Sequence, residues 1–498
     1  MALLTEDLDM KRILSLIFAT TLIFAAGCSE DKTPSGPNSM GSVDASVYVA
    51  IGNSVTAGYQ NGALYEGAQK YSFPNLLAER LGTNFVQPLV MEPGTGQRIS
   101  IVSMNPVTLA TAPSSLVPLV NASHPEPFNN LGIPGAVLAD ATDETDFAQN
   151  SASRGNPFFL QVLRDQQQFG KSIIKQALGR TPQPTLITFW MGNNDVLGFA
   201  TSGGISPAAP VPANAFDLYI TSALTALRQG APQATILVAN IPDVGSLPFF
   251  TTVGPALNSA LKTIIPQRPD SMKLWYQVRL LPNPDSTNFM RPKNVLVTLP
   301  GMAYAPYLGL PTGKYYRDLA ARRQEPIANV IPAGVDTTYP FALHPKNPWP
   351  DALTLDLTEQ TLAENAIQSY NSSVESAINR LNNKPGQPNL GLVDMNALFA
   401  GIHRNGYVIA GETFTTQFIS GGLFSLDGIH PSSKGQAVIA NEFIRAMNRT
   451  YSGTNLALID VSKIPGIPVP AGKAAGSKRL EWRADPWVFD SILQIFRP

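Results

Sequence analysis

The chain predicts an α/β fold, a doubly wound parallel sheet covered by helices and interrupted by long insertions. Three observations lead there: short apolar runs recur, turn residues close them, and helix-like stretches lie between. "SVYVAI" (46–51) is β-branched and stops at Gly52-Asn53-Ser54. "TLITFWM" (185–191) and "TILVANI" (235–241) have the same character, and "LGLVDM" (390–395) is a weaker copy. Continuous apolar runs of this length suit strands buried on both faces, as in a parallel sheet. A shorter apolar piece lies near "FNNLGIPGAVLAD" (128–140).

The intervening segments read as helices. "SFPNLLAERLG" (72–82) has apolar spacing and a terminal glycine. "AFDLYITSALTALRQGA" (215–231) is longer, and "LTEQTLAENAIQSYNSSVESAINRLNN" (357–383) runs for several turns. Strand alternating with helix is the mark of an α/β sheet. Two regions do not fit a minimal sheet. Residues 83–130 read as loop, and 245–352 are rich in proline with little periodicity. Uncommitted stretches of that length form lids, binding loops or a small subdomain. The tail after Gly453 holds "DVSKIPGIPVPAG" and then Trp482, Trp487, Phe489, Ile492 and Phe496. It reads either as a strap packed on the domain or as a membrane-surface contact.

With 498 residues, 44% of them hydrophobic, the chain has ample material for one large domain or two ordinary ones. Lys and Arg number 35 against 36 Asp and Glu, a net charge of -1. That balance gives no electrostatic case for nucleic acid. The 39 glycines and 43 prolines fall below the level of a disordered chain and suit long ordered loops.

Cys28 is the single cysteine, so no internal disulfide can form. Met10-Lys11-Arg12 precedes the apolar run "ILSLIFATTLIFAA" (13–26), and "AAGC" closes it. A positive start, a short apolar middle and small residues at the cut make a secretory signal. The run is short for a membrane span. A cysteine directly after the small residues resembles the bacterial lipoprotein signal, which implies that Cys28 is lipidated and becomes the new N-terminus. Ser29 fits outer-membrane sorting by the same resemblance, so the expected location is the bacterial cell envelope. An ordinary signal with an incidental cysteine is the alternative. Glu6, Asp7 and Asp9 do not suit a signal's start, so Met10 is the expected initiator. The expected organisation is a signal over 1–27, a flexible tether over 28–44, a main domain over 45–450 with its insertion at 245–352, and a C-terminal extension over 451–498.

Open α/β sheets bind ligands beyond the carboxyl ends of their strands. Gly52-Asn53-Ser54 follows the first run, Gly135 follows the short piece, and Gly192-Asn193-Asn194-Asp195 follows "TLITFWM". "SLDGIHPSSKG" supplies Asp427 and His430 just before the helix-like "AVIANEFIRAM". A serine hydroxyl needs a base, and histidine is the natural one near neutral pH. A carboxylate fixes the imidazole tautomer and steadies its charge. The attacked carbonyl oxygen needs preorganised donors. The backbone N–H groups of Ser54 and Gly135 and the Asn194 amide suit that task. Each signal alone is weak: serine after a glycine turn is more often a helix cap, and Gly-x-Asn-Asp is often a turn. All four in order are informative.

"GNSVTAG", "NLGIPGA", "GNND" and "DGIH" resemble the ordered blocks of the SGNH, or GDSL, hydrolase superfamily, and "ATILVANIPDVGSLP" is similar to the strand and loop after the third block. The resemblance runs from about residue 45 to 460. It implies a three-layer α/β/α sandwich like flavodoxin, Ser54 as nucleophile and first oxyanion donor, Gly135 and Asn194 as the other donors, Asp427 as orienting acid and His430 as base. Asn53 stands where the namesake motif has Asp, and the span from Asn194 to Asp427 is longer than in compact members.

The expected function is an exported serine ester hydrolase of the lipase or acylhydrolase type. A carbohydrate esterase deacetylating a polysaccharide is the alternative within the class, and a surface binding protein without turnover the alternative outside it. Phe249, Phe250, Trp275, Tyr276, Tyr304 and Tyr307 read as walls of a substrate groove or as ordinary packing. His124, His344 and His403 read as loop positions with structural roles. No HExxH, paired metal spacing or Ca²⁺-loop signature is present, so neither metal nor cofactor is expected. Residue 56 is Thr, so Ser54 lacks the Gly-x-Ser-x-Gly of the α/β-hydrolase elbow.

Overall fold

The computed structural model describes residues 38–104, 107–113, 116–145, 156–207, 209–264, 274–278, 287–290, 295–382, 384–409, 411–468, 482–484 and 488–489. Cys28, Trp487, Ile492 and Phe496 lie outside them, and so does the whole expected signal. Five strands build the central sheet: β1 (Tyr48–Gly52), β2 (Asn130–Gly132), β3 (Leu186–Trp190), β4 (Thr235–Ala239) and β5 (Leu390–Val393). Every pairing is parallel, in the order β5-β4-β3-β1-β2. Read from the other edge this is 2-1-3-4-5, the flavodoxin-like winding, whose switch point lies between β1 and β3. All five residues of β1, β3 and β4 are buried. Burial on both faces is why these runs show no polar alternation.

Two helix pairs flank the sheet. α2 (Phe73–Leu81) packs with α7 (Ser433–Thr450), and α4 (Ala213–Gly230) packs with α5 (Leu357–Leu381). Phe73 stacks on Phe443 with ring centroids 4.7 Å apart, and Phe216 stacks on Tyr370 at 3.9 Å. Local signals set their ends. The Asp356 carboxylate caps α5 by accepting from the Thr358 and Glu359 N–H groups, while Glu359 accepts from the Asp356 N–H. Ser432 caps α7 through the Gly435 N–H at 3.1 Å. The three-layer α/β/α sandwich therefore agrees with the fold that the sequence predicts.

Several segments differ from their reading as loop. Within 83–130, Ile99–Met104 and Val107–Thr111 form an antiparallel hairpin, and Trp482–Ala484 joins it as a parallel strand. Ile99, Ile101, Val107 and Leu109 turn inward at every second position, a period too brief to stand out in sequence. The 245–352 insertion contains helices over Val253–Ile264 and Lys314–Arg323. Val253, Leu257 and Leu261 carry helical spacing, masked in sequence by Gly254 and Pro255 in the first turn. Phe249, Phe250, Tyr276 and Tyr304 are buried in the main core, and Trp275 and Tyr307 are half-buried. These aromatics are packing rather than open groove walls.

The expected tether is anchored at its far end. Ser39–Met40 pairs antiparallel with Thr454–Asn455, and Val43 is buried. Leu456, Leu458 and Val461, expected in an extension, also belong to the core. Val488 and Phe489 are buried, as in a packed strap.

Candidate active site

β1 delivers Ser54. The strand ends at Gly52, Asn53 caps the short helix α1 (Ser54–Ala57) through the Val55 N–H at 3.2 Å, and Gly58 (φ +83) closes it. Asn53 thus performs with an amide oxygen the capping that an Asp would perform with a carboxylate. β2 ends against this helix: a Cβ on Gly132 would lie 2.3 Å from the Ala57 backbone nitrogen. Only a residue without a side chain permits that approach.

The loop before α7 delivers the other two groups. His430 Nε2 is 2.8 Å from Ser54 Oγ, and His430 Nδ1 is 3.0 Å from Asp427 Oδ2. All three residues are sealed from solvent: Ser54 is 2% exposed, Asp427 0% and His430 1%. Asp427 Oδ1 accepts from the Ile429 and His430 N–H groups at 2.9 and 2.8 Å, and Oδ2 accepts from the Gly62 N–H at 3.1 Å. Burial pushes the carboxyl upward. The His430 ring and the His430 and Ile429 N–H donors outweigh it and hold Asp427 below the usual carboxylate range. An ionised Asp427 only accepts, so in the neutral imidazole Nδ1 carries the proton and the Nε2 lone pair faces the serine hydroxyl.

β3 delivers the amide. Asn194 opens α3 (Asn194–Thr201), and its Nδ2 donates to the Ala136 carbonyl at 2.7 Å. That bond ties Asn194 to the segment containing Gly135, whose φ of +81 suits glycine. Asp195, which sequence reasoning left without a role, grips the same segment: its Oδ2 accepts from the Leu138 N–H at 2.9 Å. Burial, with Asp140 adding to it, pushes the Asp195 carboxyl up to about 7. The five residues singled out from sequence thus all lie in segments at the carboxyl ends of β1, β2 and β3 or in the loop facing them. The sequence carried no signal for the donor Gly62.

The GDSL-like Lipase/Acylhydrolase family matches residues 48–277 and 311–443, most of the chain. The chain belongs to that family. This GDSL-like protein is accordingly an ester hydrolase, and the break in the match falls inside the 245–352 insertion. That insertion accounts for much of the long span between Asn194 and Asp427. No curated protein matches the GDSL-like chain. Among solved structures, the Clostridium thermocellum family 3 carbohydrate esterase is similar, with 14% identity over 81% of this chain and 94% of that chain, at a TM-score of 0.28. Identity and superposition that low add nothing to the residue assignments.

An apolar slot of about 60 Å³ is lined by chain neighbours of Ser54, Asn194 and His430, but by none of those three residues themselves. The neighbours on its wall are Val55, Asn193, Ile429 and Pro431, and Trp190, Leu197, Leu247, Phe399 and Phe424 are among its other apolar lining residues. None of the six aromatics proposed for a groove lines it. A larger cavity of about 830 Å³ lies between Thr201, Gln277, Tyr316 and Pro350, and neither Ser54, Asp427 and His430 nor their immediate chain neighbours line it. Its size does not make it the site of the chemistry.

The remaining histidines stand apart. His124 stacks on Phe128 and His344 on Tyr339, with ring centroids 5.2 and 4.0 Å apart. His403 lies not in a loop but in the helix α6 (Met395–Asn405), where Nδ1 meets Thr416 Oγ1 at 3.0 Å. Among the described residues no cluster of His, Cys, Asp or Glu is placed to hold a metal.

Proposed function

We propose that this hydrolase cleaves short-chain carboxylic esters by two-step acyl transfer through Ser54. The observation that carries the reading is the unbroken relay Asp427–His430–Ser54, with gaps of 3.0 and 2.8 Å in a buried site. Ser54 Oγ attacks the ester carbonyl while its proton passes to His430 Nε2. Asp427 steadies the imidazolium that forms. The N–H groups of Ser54 and Gly135 and the Asn194 amide receive the developing oxyanion. Collapse expels the alcohol, which takes the proton from His430, and leaves the acyl group on Ser54. A water molecule then gives its proton to His430 and attacks the acyl carbon, and collapse releases the acid as Ser54 Oγ takes the proton back from His430.

The slot supports a small acyl group. At about 60 Å³ it accommodates two or three methyl-sized units. The same feature favours a second reading, in which the ester is an acetyl group on a carbohydrate. A surface protein without turnover finds no support in a relay with every member in reach.

Rates on p-nitrophenyl acetate, butyrate and octanoate test the reading. Hydrolysis that falls steeply from butyrate to octanoate is expected, and an octanoate rate equal to the acetate rate would refute the short slot. Acetate release from a peracetylated sugar faster than from p-nitrophenyl acetate would establish the second reading. The "AAGC" sequence supports export and lipidation at Cys28, with the envelope as location and a membrane as neighbour. Mass spectrometry of the mature N-terminus tests it: a diacylglyceryl adduct on Cys28 is expected, and an unmodified Cys28 would overturn it.

A further inference from the structure

We propose that Asn61 is a positioning residue for the acyl transfer, locking the turn after the nucleophile helix onto the loop that carries Asp427 and His430. The proposal rests on the triad reading above and concerns a residue with no contact to the reacting atoms.

The turn 59–62 leaves α1 directly. The Tyr59 N–H donates to the Ser54 carbonyl at 3.0 Å, so the turn moves with the nucleophile. Its far side meets three consecutive residues of the acid–base loop. The Asn61 N–H donates to Ser425 Oγ at 3.0 Å, Asn61 Oδ1 accepts from the Leu426 N–H at 2.9 Å, and the Gly62 N–H donates to Asp427 Oδ2 at 3.1 Å. The oxygen reached by Gly62 is the one that faces His430 Nδ1. Tyr59 adds a ring contact with His430, centroids 4.7 Å apart, and its hydroxyl donates to the Gly62 carbonyl at 2.6 Å.

Asn61 is the side chain that holds this arrangement. It is 8% exposed and sits at φ +53, in the left-handed region that few residues tolerate. Its Nδ2 donates to Tyr65 Oη at 3.0 Å, and Tyr65 lies under the Arg98 guanidinium. Both ends of the amide are therefore used. A residue kept in a costly backbone conformation with every side-chain group engaged is over-determined by its surroundings. The loop also closes on itself through the Ser425 N–H and the His430 carbonyl at 2.7 Å. Asn61 and Gly62 tie that closed loop to the serine, and a slip between the two lengthens the His430–Ser54 gap.

The test uses the full hydrolase and p-nitrophenyl acetate, with kcat expressed per reactive site counted by titration with a p-nitrophenyl phosphonate. Asn61→Gly keeps the left-handed backbone accessible and removes both side-chain bonds. Its kcat is expected to fall roughly 10–100-fold with KM within about threefold of the wild type, the scale of a small misplacement of catalytic groups. Asn61→Asp retains an acceptor for Leu426 and accepts from Tyr65, and is expected to recover most of that loss. A wild-type kcat per titrated site in Asn61→Gly overturns the proposal, even where fewer sites titrate, because the role is then only structural. Equal losses in both variants also overturn it. Ser54→Ala, assayed alongside, keeps the two readings separate: persisting hydrolysis there removes the triad itself, whereas an inactive Ser54→Ala beside a full-rate Asn61→Gly removes only the positioning role.

Discussion

His430 Nε2 lies 2.8 Å from Ser54 Oγ across 376 positions of chain. The distance is set by two short segments at the same rim of the sheet, the turn after β1 and the loop before α7. Ser54→Ala is expected to lower kcat on p-nitrophenyl acetate by at least roughly 10⁴, with the melting temperature nearly unchanged. Activity within tenfold of the wild type would remove Ser54 as nucleophile.

Asn194 offers a separate handle. Its Nδ2 has two protons, and the Ala136 carbonyl takes one. Asn194→Ala is expected to cost about 10²–10³ in kcat with KM little changed, because the donor acts on charge that develops only in the transition state. A rise in KM without loss of kcat would place Asn194 in ground-state binding instead.

Gly132→Ala puts a methyl carbon 2.3 Å from the Ala57 nitrogen and 2.7 Å from the Thr56 carbonyl carbon. Neither contact is with a movable side chain, so α1 must shift. The expected cost is about 1–3 kcal/mol in stability by overpacking and a loss of up to roughly 100-fold in kcat through displacement of Ser54. Denaturant melts and rates on one preparation check both.

Asp195 makes stability depend on pH. Its folded carboxyl is pushed up to about 7 by burial, against an ordinary value of 3.8. The folded state thus binds the proton more tightly than the unfolded state. The resulting stabilisation is fully present below pH ~4, declines from there and is lost above pH ~7. Asp195→Asn keeps an acceptor for the Leu138 N–H and cannot ionise. Its unfolding free energy, from denaturant melts, is expected to gain on that of the wild type as pH rises from 4.5 to 8, approaching roughly 4 kcal/mol at most. A difference independent of pH would show that Asp195 ionises normally in the fold.

The sandwich was readable because its cause is local. Strands such as "LITFW" are buried on every residue because helices cover both faces, and the largely apolar composition this requires is written in each run separately. The insertion and the 99–111 hairpin were not readable, since their few inward residues have too short a period to rise above Gly, Pro and polar neighbours.

Sequence alone determined the chemical types and their order: an alcohol after β1, glycine after β2, an amide after β3, and a carboxylate with an imidazole before α7. Those choices are local, each made by a residue at the end of an element. The tertiary structure alone decided which distant backbone groups meet: Gly62 on Asp427, Asn61 on Leu426, Asp195 on Leu138, and the insertion's aromatics on the core. Hydrogen-bond partners dozens to hundreds of residues apart leave no periodic trace in a chain, because either group would look the same in sequence with any other partner.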